Sequence, residues 1–244
     1  EDVCHRFNDN GRDDRVEPRA VSSIPHSAFR NPREWGLYLV TDRHQTGGRD
    51  LLEVVREGLR GGVRAIQLRE KDLATRDLYQ LAEKLLAMTR AAGAVLLIND
   101  RVDVAMALSA EGVHLTQRSL PPKETRELLG LGKLIGTSCH CAADVREAAE
   151  AGVDFVVLGP IFETPSKVPY GPPLTTAVLQ DARVASSLPI LAIGGIKKAH
   201  VRDVIAAGAD GVAAISAVMA APDPASAASE LLAAWRRATG QLGN

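Results

Sequence analysis

Gln67, Arg69 and Lys71 alternate with Leu68 and Glu70 at the end of a short apolar run. In an extended chain every second residue shares a face. One amide and two cations on one face suit a phosphate or diphosphate, because a guanidinium forks onto two oxygens and an ammonium acts as a mobile point charge. The same spacing suits a salt-bridged strand end with Glu70 and Asp72 as local partners, and spacing alone does not separate the two readings. Asn99 and Asp100 close another apolar run. A carboxylate beside a diphosphate is a natural Mg²⁺ ligand. Taken alone, however, Asp100 reads first as an N-cap for a helix starting near Val102. Gly194 and Gly195 follow a third run and precede a helix, where backbone N–H groups can approach an anion closely. Ser216, after the last run, can add a hydroxyl. The alternative for this segment is a tight turn only, and phosphate is the favoured reading.

His140 is a candidate general acid or base, with an ordinary pKa near neutrality. Ser138 shares its side of an extended segment. A lone histidine at a helix start is more commonly a cap or a supporting residue. Lys167 lies in the long segment GPIFETPSKVPYGPPL, which can act as a lid closing over a phosphate or as a rigid connector with a solvated lysine. His114, inside GVHL, reads as a packed strand residue. Cys139 has no evident activating partner and is assigned no nucleophilic role.

These residues need a scaffold that brings them to one place. From Leu37 the sequence alternates short Val, Ile and Leu runs with longer helical stretches. Strands are expected at 37–40, 64–68, 94–98, 112–115, 133–137, 154–158, 189–193 and 211–215. Helices are expected near 50–60, 75–92, 102–109, 122–129, 142–151, 175–184, 198–207 and 224–238. Continuous apolar strands imply a parallel sheet buried on both faces. Eight such units in about 200 residues favour an α/β fold of the (β/α)8 TIM-barrel class over an open doubly wound sheet. TDRHQTGG after the first run is not the glycine fingerprint of an open dinucleotide-binding sheet. Phrases such as EGLRGGV, EAGVD and AAGADGV suit tight helix-to-strand turns at the barrel bottom. The polar residues above all fall at strand C-termini, where this fold places its chemistry. Residues 1–34 lack apolar periodicity and are expected to form a polar, disordered extension, leaving 35–244 as one catalytic domain.

Composition narrows the functional classes. The 244 residues carry 29 Lys and Arg against 30 Asp and Glu, a net charge of −1, so nothing favours nucleic acid as the main partner. Aromatic residues at 4% argue against a base-stacking platform. No apolar run is long enough to span a bilayer. Three cysteines, Cys4, Cys139 and Cys141, make an odd count, which argues against a disulfide framework and for a reducing, cytoplasmic setting. Oligomeric state is open at this level.

QLREK at 67–71, LINDRVDVA at 97–105, GVHL at 112–115, GTSCH at 136–140, LGPIFETPSK at 158–167, AIGGI at 192–196 and AAGADGVAAISAV at 206–218 occur in this order. Over roughly residues 37–238 the ordered set resembles the thiamine phosphate synthase / thiazole tautomerase family. The resemblance implies a transferase that joins hydroxymethylpyrimidine diphosphate to thiazole phosphate with Mg²⁺ and releases diphosphate. It implies that Gln67 contacts the pyrimidine, and that Arg69, Lys71, Asn99 and Lys167 hold the diphosphate. Asp100 would bind Mg²⁺ and Ser138 would assist the leaving group. Thr164 and Ser166 would line the thiazole side, with Gly195, Ile215 and Ser216 on its phosphate. One departure stands out: Thr116-Gln117-Arg118-Ser119 replaces a family stretch whose Asp gives Mg²⁺ a second carboxylate, and that position here is Ser119. Ser166 stands where the synthases commonly have Thr. The departure opens a second reading, a metal-independent thiazole tautomerase using His140. A third is a non-catalytic barrel that senses thiamine precursors. The complete QLREK and IND motifs favour the synthase, because a tautomerase has no diphosphate to bind.

Overall fold

A computed structural model describes residues 31–164 and 173–241. Eight parallel strands close into a barrel in chain order: β1 (Leu37–Val40), β2 (Ala65–Leu68), β3 (Val95–Asn99), β4 (Gly112–Leu115), β5 (Leu134–Cys139), β6 (Phe155–Leu158), β7 (Ile190–Ala192) and β8 (Gly211–Ala214). Pairing of Leu37 with Val212 in β8 completes the ring. The intervening helices are α1 (Leu51–Arg60), α2 (Thr75–Ala91), α3 (Val102–Leu108), α4 (Pro122–Leu129), α5 (Ala142–Glu150), α6 (Ala177–Ala185) and α7 (Val201–Ala206). The chain ends with α8 (Ser216–Met219) and α9 (Pro224–Thr239). The expected TIM barrel is therefore the observed fold. Element ends differ from the sequence reading by a few residues, and two of these differences bear on the mouth. β5 runs on to Cys139, which puts Ser138 inside the strand, and the short α8 begins directly at Ser216.

Strand parity divides the apolar residues into two cores. Leu37, Leu39, Ile66, Leu96, Ile98, Val156 and Leu158 join the helix-facing layer. Tyr38, Val40, Ala65, Val95, Leu97, Phe155, Val157, Leu191 and Ala213 fill the barrel interior. Trp35 closes the lower end, stacked on Tyr38 at 5.4 Å and edge-on to Phe155 at 5.0 Å. Gly136 makes room for Phe155, since a Cβ there would come within 2.2 Å of its ring. Interior side chains packed in layers make this a core and not a pore. Residues 32–34, which the sequence groups with the extension, form a 3-10 turn, with Pro32 buried and Arg33 ion-paired to Asp210. Most of the proposed extension, residues 1–30, lies outside the described residues, and so does Cys4.

The barrel bottom repeats one device three times. Glu111, Asp154 and Asp210 each stand just before an even-numbered strand. Each accepts the first or second backbone N–H of the preceding strand: Leu96 at 3.0 Å, Ile135 at 2.6 Å and Ile190 at 2.8 Å. Each also pairs with an arginine of the helix between the two strands before it and its own neighbour, namely Arg90 at 3.0 Å, Arg126 at 2.7 Å and Arg183 at 2.6 Å. Helix, strand and the next strand are thereby tied at one carboxylate.

Candidate active site

At the opposite rim, the same parity that fills the barrel carries polar groups up to its mouth. Gln67 is buried at 3% exposure and donates its side-chain N–H to the Tyr38 hydroxyl at 3.2 Å. Arg69, one step inward-facing beyond it, is half-buried and close enough to His114 to act on it electrostatically. Lys71 lies on the exposed turn after β2, where the strand alternation has ended. The structure thus keeps Gln67 and Arg69 on one face and carries Lys71 out toward solvent.

The carboxylates expected beside these cations are used elsewhere. Glu70 faces away from the interior, accepts from Thr41 Oγ1 at 2.7 Å and from the Arg43 backbone N–H at 3.1 Å, and pairs with the Arg43 guanidinium at 3.2 Å. Asp72 takes the same guanidinium in a two-pronged pair at 2.6 Å on each oxygen, with His44 at 3.0 Å. Hydrogen bonds from Arg43 and then His44 hold the Asp72 carboxyl well below its ordinary pKa. Thr41 Oγ1 also accepts the Arg69 backbone N–H at 2.9 Å. Glu70 and Asp72, the local partners of the alternative reading, are thus engaged by a brace from the first loop. Among the described residues, the Arg69 side chain makes no ion pair.

Asp100 does not act as the helix cap favoured by its position in sequence. It adopts a left-handed backbone, with φ of 64°, and the residue at the cap of α3 is Arg101, without a side-chain cap bond. The Asp100 carboxylate is exposed at the mouth, and its backbone N–H donates to His114 C=O at 2.9 Å. The β2–β3 register pairs Leu68 with Ile98, so Arg69 and Asn99 follow side by side at the ends of neighbouring strands.

On β5, Ser138 points inward and its Oγ lies 3.0 Å from Nε2 of His114. Cys139, facing the helices, is buried, and desolvation pushes its thiol up to about 12, consistent with no nucleophilic role. His140 is exposed. Its Nδ1 donates to the Gly159 carbonyl at 2.6 Å, which leaves Nε2 as the acceptor nitrogen. The cap of α5 is Cys141, not His140. Ser119 is engaged locally: its Oγ accepts the Thr116 backbone N–H at 2.8 Å and meets Thr116 Oγ1 at 3.1 Å.

Gly194 and Gly195 both have positive φ, 98° and 63°, and a Cβ on either would collide with the backbone or side chains of residues 160–163. The sixth loop lies directly on this turn, with Ile161 N–H on Ile193 C=O at 2.8 Å and Phe162 N–H on Gly194 C=O at 3.0 Å. Phe162 stacks on His200 at 4.1 Å, and His200 Nδ1 accepts the Lys197 backbone N–H at 3.3 Å and lies 3.1 Å from Gly195 C=O. The backbone N–H groups of Gly194 and Gly195 have no acceptor among the described residues. Ile215 is half-buried and Ser216 exposed on the adjacent corner. Thr164 is the last described residue of its loop, and Ser166 and Lys167 lie outside the described residues.

Sequence reasoning missed the polar side of His114. It is packed in β4 as expected, at 2% exposure between Tyr38 and Phe155, each 5.9 Å away, yet it also supports Ser138. Burial, then the Arg69 charge, pulls its pKa down to about 3, so the ring is neutral. Counting strand parity from Gln67 and Asn99 through the β3–β4 register would have shown it facing inward.

Residues 37–218 match the family model described as thiamine monophosphate synthase. This chain belongs to that family. A thiamine-phosphate synthase of Roseiflexus castenholzii is 46% identical over 191 residues, covering 78% of this chain and 84% of that protein. One from Moorella thermoacetica is 44% identical over 208 residues, covering 85% and 99%. The solved thiamine phosphate pyrophosphorylase of Pyrococcus furiosus superposes with a TM-score of 0.77 at 34% identity, covering 85% of this chain and 98% of that one. The activity accompanying this membership is that of a thiamine-phosphate synthase, a transferase, in thiamine biosynthesis.

Proposed function

We propose that the barrel mouth joins hydroxymethylpyrimidine diphosphate to thiazole phosphate, releasing diphosphate, with the residues of β2, β3 and β5 acting on the leaving group. The observation that carries this reading is the juxtaposition of Arg69 and Asn99 beside Asp100, whose exposed carboxylate caps no helix. Gln67, fixed by Tyr38, would orient the pyrimidine. Arg69, Lys71, Asn99 and Lys167 would hold the diphosphate, and Ser138 would donate to its departing oxygen. Gly195, Ile215 and Ser216 would receive the thiazole phosphate, with Thr164 and Ser166 along the thiazole. Electrostatic groups already in place as charge builds on the leaving oxygen lower the barrier most.

The donor set fits Mg²⁺, which prefers one or two carboxylates together with phosphate oxygens and water. Asp100 supplies the one carboxylate. Ser119 cannot supply a second, and its hydroxyl is already committed to the Thr116 turn. When bound, the ion would neutralise charge on the departing diphosphate. Phosphorylated substrates and two free cysteines, Cys139 and Cys141, support a cytoplasmic setting. Among the described residues no helix is long and apolar enough to cross a membrane.

The test is a coupling assay with both substrates, with and without Mg²⁺, following thiamine phosphate and diphosphate together. Equal, Mg²⁺-dependent formation of the two is expected. Folded protein that binds thiazole phosphate yet forms neither product would overturn the proposal.

A further inference from the structure

Inside the barrel one polar side-chain atom has no partner. Among the described residues, Nδ1 of His114 is the buried side-chain nitrogen or oxygen without a hydrogen bond. The other ring nitrogen, Nε2, meets Ser138 Oγ at 3.0 Å. A buried N–H with nothing to receive it is the rarer and costlier orphan, whereas an under-satisfied acceptor is better tolerated. The ring proton therefore belongs on Nε2, where Ser138 Oγ accepts it. That assignment decides what Ser138 does. With its oxygen receiving from below, its own hydrogen is left to point up toward the mouth. The two flanking residues do not compete: Thr137 donates to Leu115 C=O at 3.5 Å, and Cys139 is packed on the helix side.

We propose that His114 is a positioning residue: its Nε2–H fixes the Ser138 hydroxyl so that the hydrogen faces the leaving diphosphate. The proposal rests on the reading of the mouth given above. In that reaction the bond between the pyrimidine methylene carbon and the bridging oxygen breaks, the electron pair stays with diphosphate, and the thiazole nitrogen forms the new C–N bond. Ser138 donates a hydrogen bond to the departing oxygen and keeps its proton. A hydroxyl free to rotate would spend part of its time turned toward a bare Nε2. A hydroxyl held by an N–H has its donor direction set before the charge develops.

Two measurements test this. Nitrogen NMR on the full chain with ¹⁵N-labelled histidine reads the tautomer without any turnover. Protonated Nε2 and bare Nδ1 are expected at His114, and a protonated Nδ1 overturns the proposal. Kinetics of H114F, which keeps a flat ring but removes the donor, are expected to show kcat about tenfold lower with both KM values nearly unchanged. H114Q, whose amide can again donate at the Nε2 position, should recover most of that loss. In an S138A background H114F should cost nothing further, because His114 acts only through that hydroxyl. Losses that multiply, or an H114F enzyme as fast as the parent, overturn the proposal. If the unsubstituted chain forms no thiamine phosphate, the reading of the site falls and takes the kinetic role of His114 with it; the NMR result then judges the His114–Ser138 geometry by itself.

Discussion

The two ends of this barrel treat charge in opposite ways. At the bottom, Glu111, Asp154 and Asp210 are each saturated by a strand N–H and an arginine. At the mouth, Arg69 and the Asp100 carboxylate follow the ends of neighbouring strands and form no ion pair among the described residues, with Arg101 acting on Asp100 only through space. Charges at an exposed rim contribute little to folding. The contrast separates two tasks: the lower clasps hold strands in register, and on the proposed function the upper groups would be left for oxygens of substrate. The brace of Thr41, Arg43 and Glu70 sits at the mouth but belongs to the first kind, since it fixes the Arg69 backbone and leaves its side chain available.

Exchanging one residue at each end should break the two tasks apart. D100N is expected to lower Mg²⁺-dependent kcat by about 100-fold, of the order seen when one transition-state charge partner is lost, with a melting temperature close to the parent's. An unchanged kcat would remove Asp100 from the chemistry. D210A should do the reverse, destabilising the fold by about 2–3 kcal/mol in urea titrations, because Ile190 N–H and the Arg183 and Arg33 guanidiniums lose their acceptor together. Its kcat per folded molecule should stay at the parent value, and a comparable loss of kcat would contradict the division.

Acid should sharpen the comparison from the inside. His114 has its folded pKa lowered from 6.5 to about 3. Below pH 6.5 the unfolded chain takes up a proton that the native barrel refuses, so stability falls as pH drops from 6.5 toward 3. The slope from this residue is roughly 1 kcal/mol per pH unit. The difference in stability between parent and H114F, measured by urea titration across that window, should change with this slope, and a constant difference would show that His114 is not excluded from protonation. The smallest effect expected is from S119D, which adds a second carboxylate where the Thr116 turn now stands. It should lower the Mg²⁺ concentration for half-maximal activity severalfold, and an unchanged requirement would show that this corner does not reach the metal.

Much of the scaffold was legible because parallel strands buried on both faces read as plain apolar runs. The runs beginning at Leu37 and Gly112 match β1 and β4 residue for residue, and the others differ by one or two residues at their ends. Most of the polar groups of the mouth were legible for the same reason, as they interrupt those runs at their C-termini. What stayed hidden depends on which face a residue takes and what lies across from it. Glu70 follows Arg69 in sequence, but adjacent strand residues point to opposite sides, so it found Arg43, 27 positions away. Asp100 had the sequence of a cap, yet its left-handed backbone turns the carboxylate away from α3. The bottom clasps need three separate segments in register, and no local pattern around Asp154 names Arg126 and Ile135 as its partners.

Among the described residues, the packed floor of Trp35, Tyr38 and Phe155 closes the lower end of the barrel and leaves the mouth as the way in. On the proposed function, substrates and products would share that rim. Gln67 lies deep, beside Tyr38, and the Gly194–Gly195 corner follows the end of β7, so on the proposed function a thiazole phosphate that arrived first would stand in the path of the pyrimidine. On the proposed function the architecture would set a queue, with pyrimidine diphosphate entering first, thiazole phosphate second, and both products leaving past the same rim.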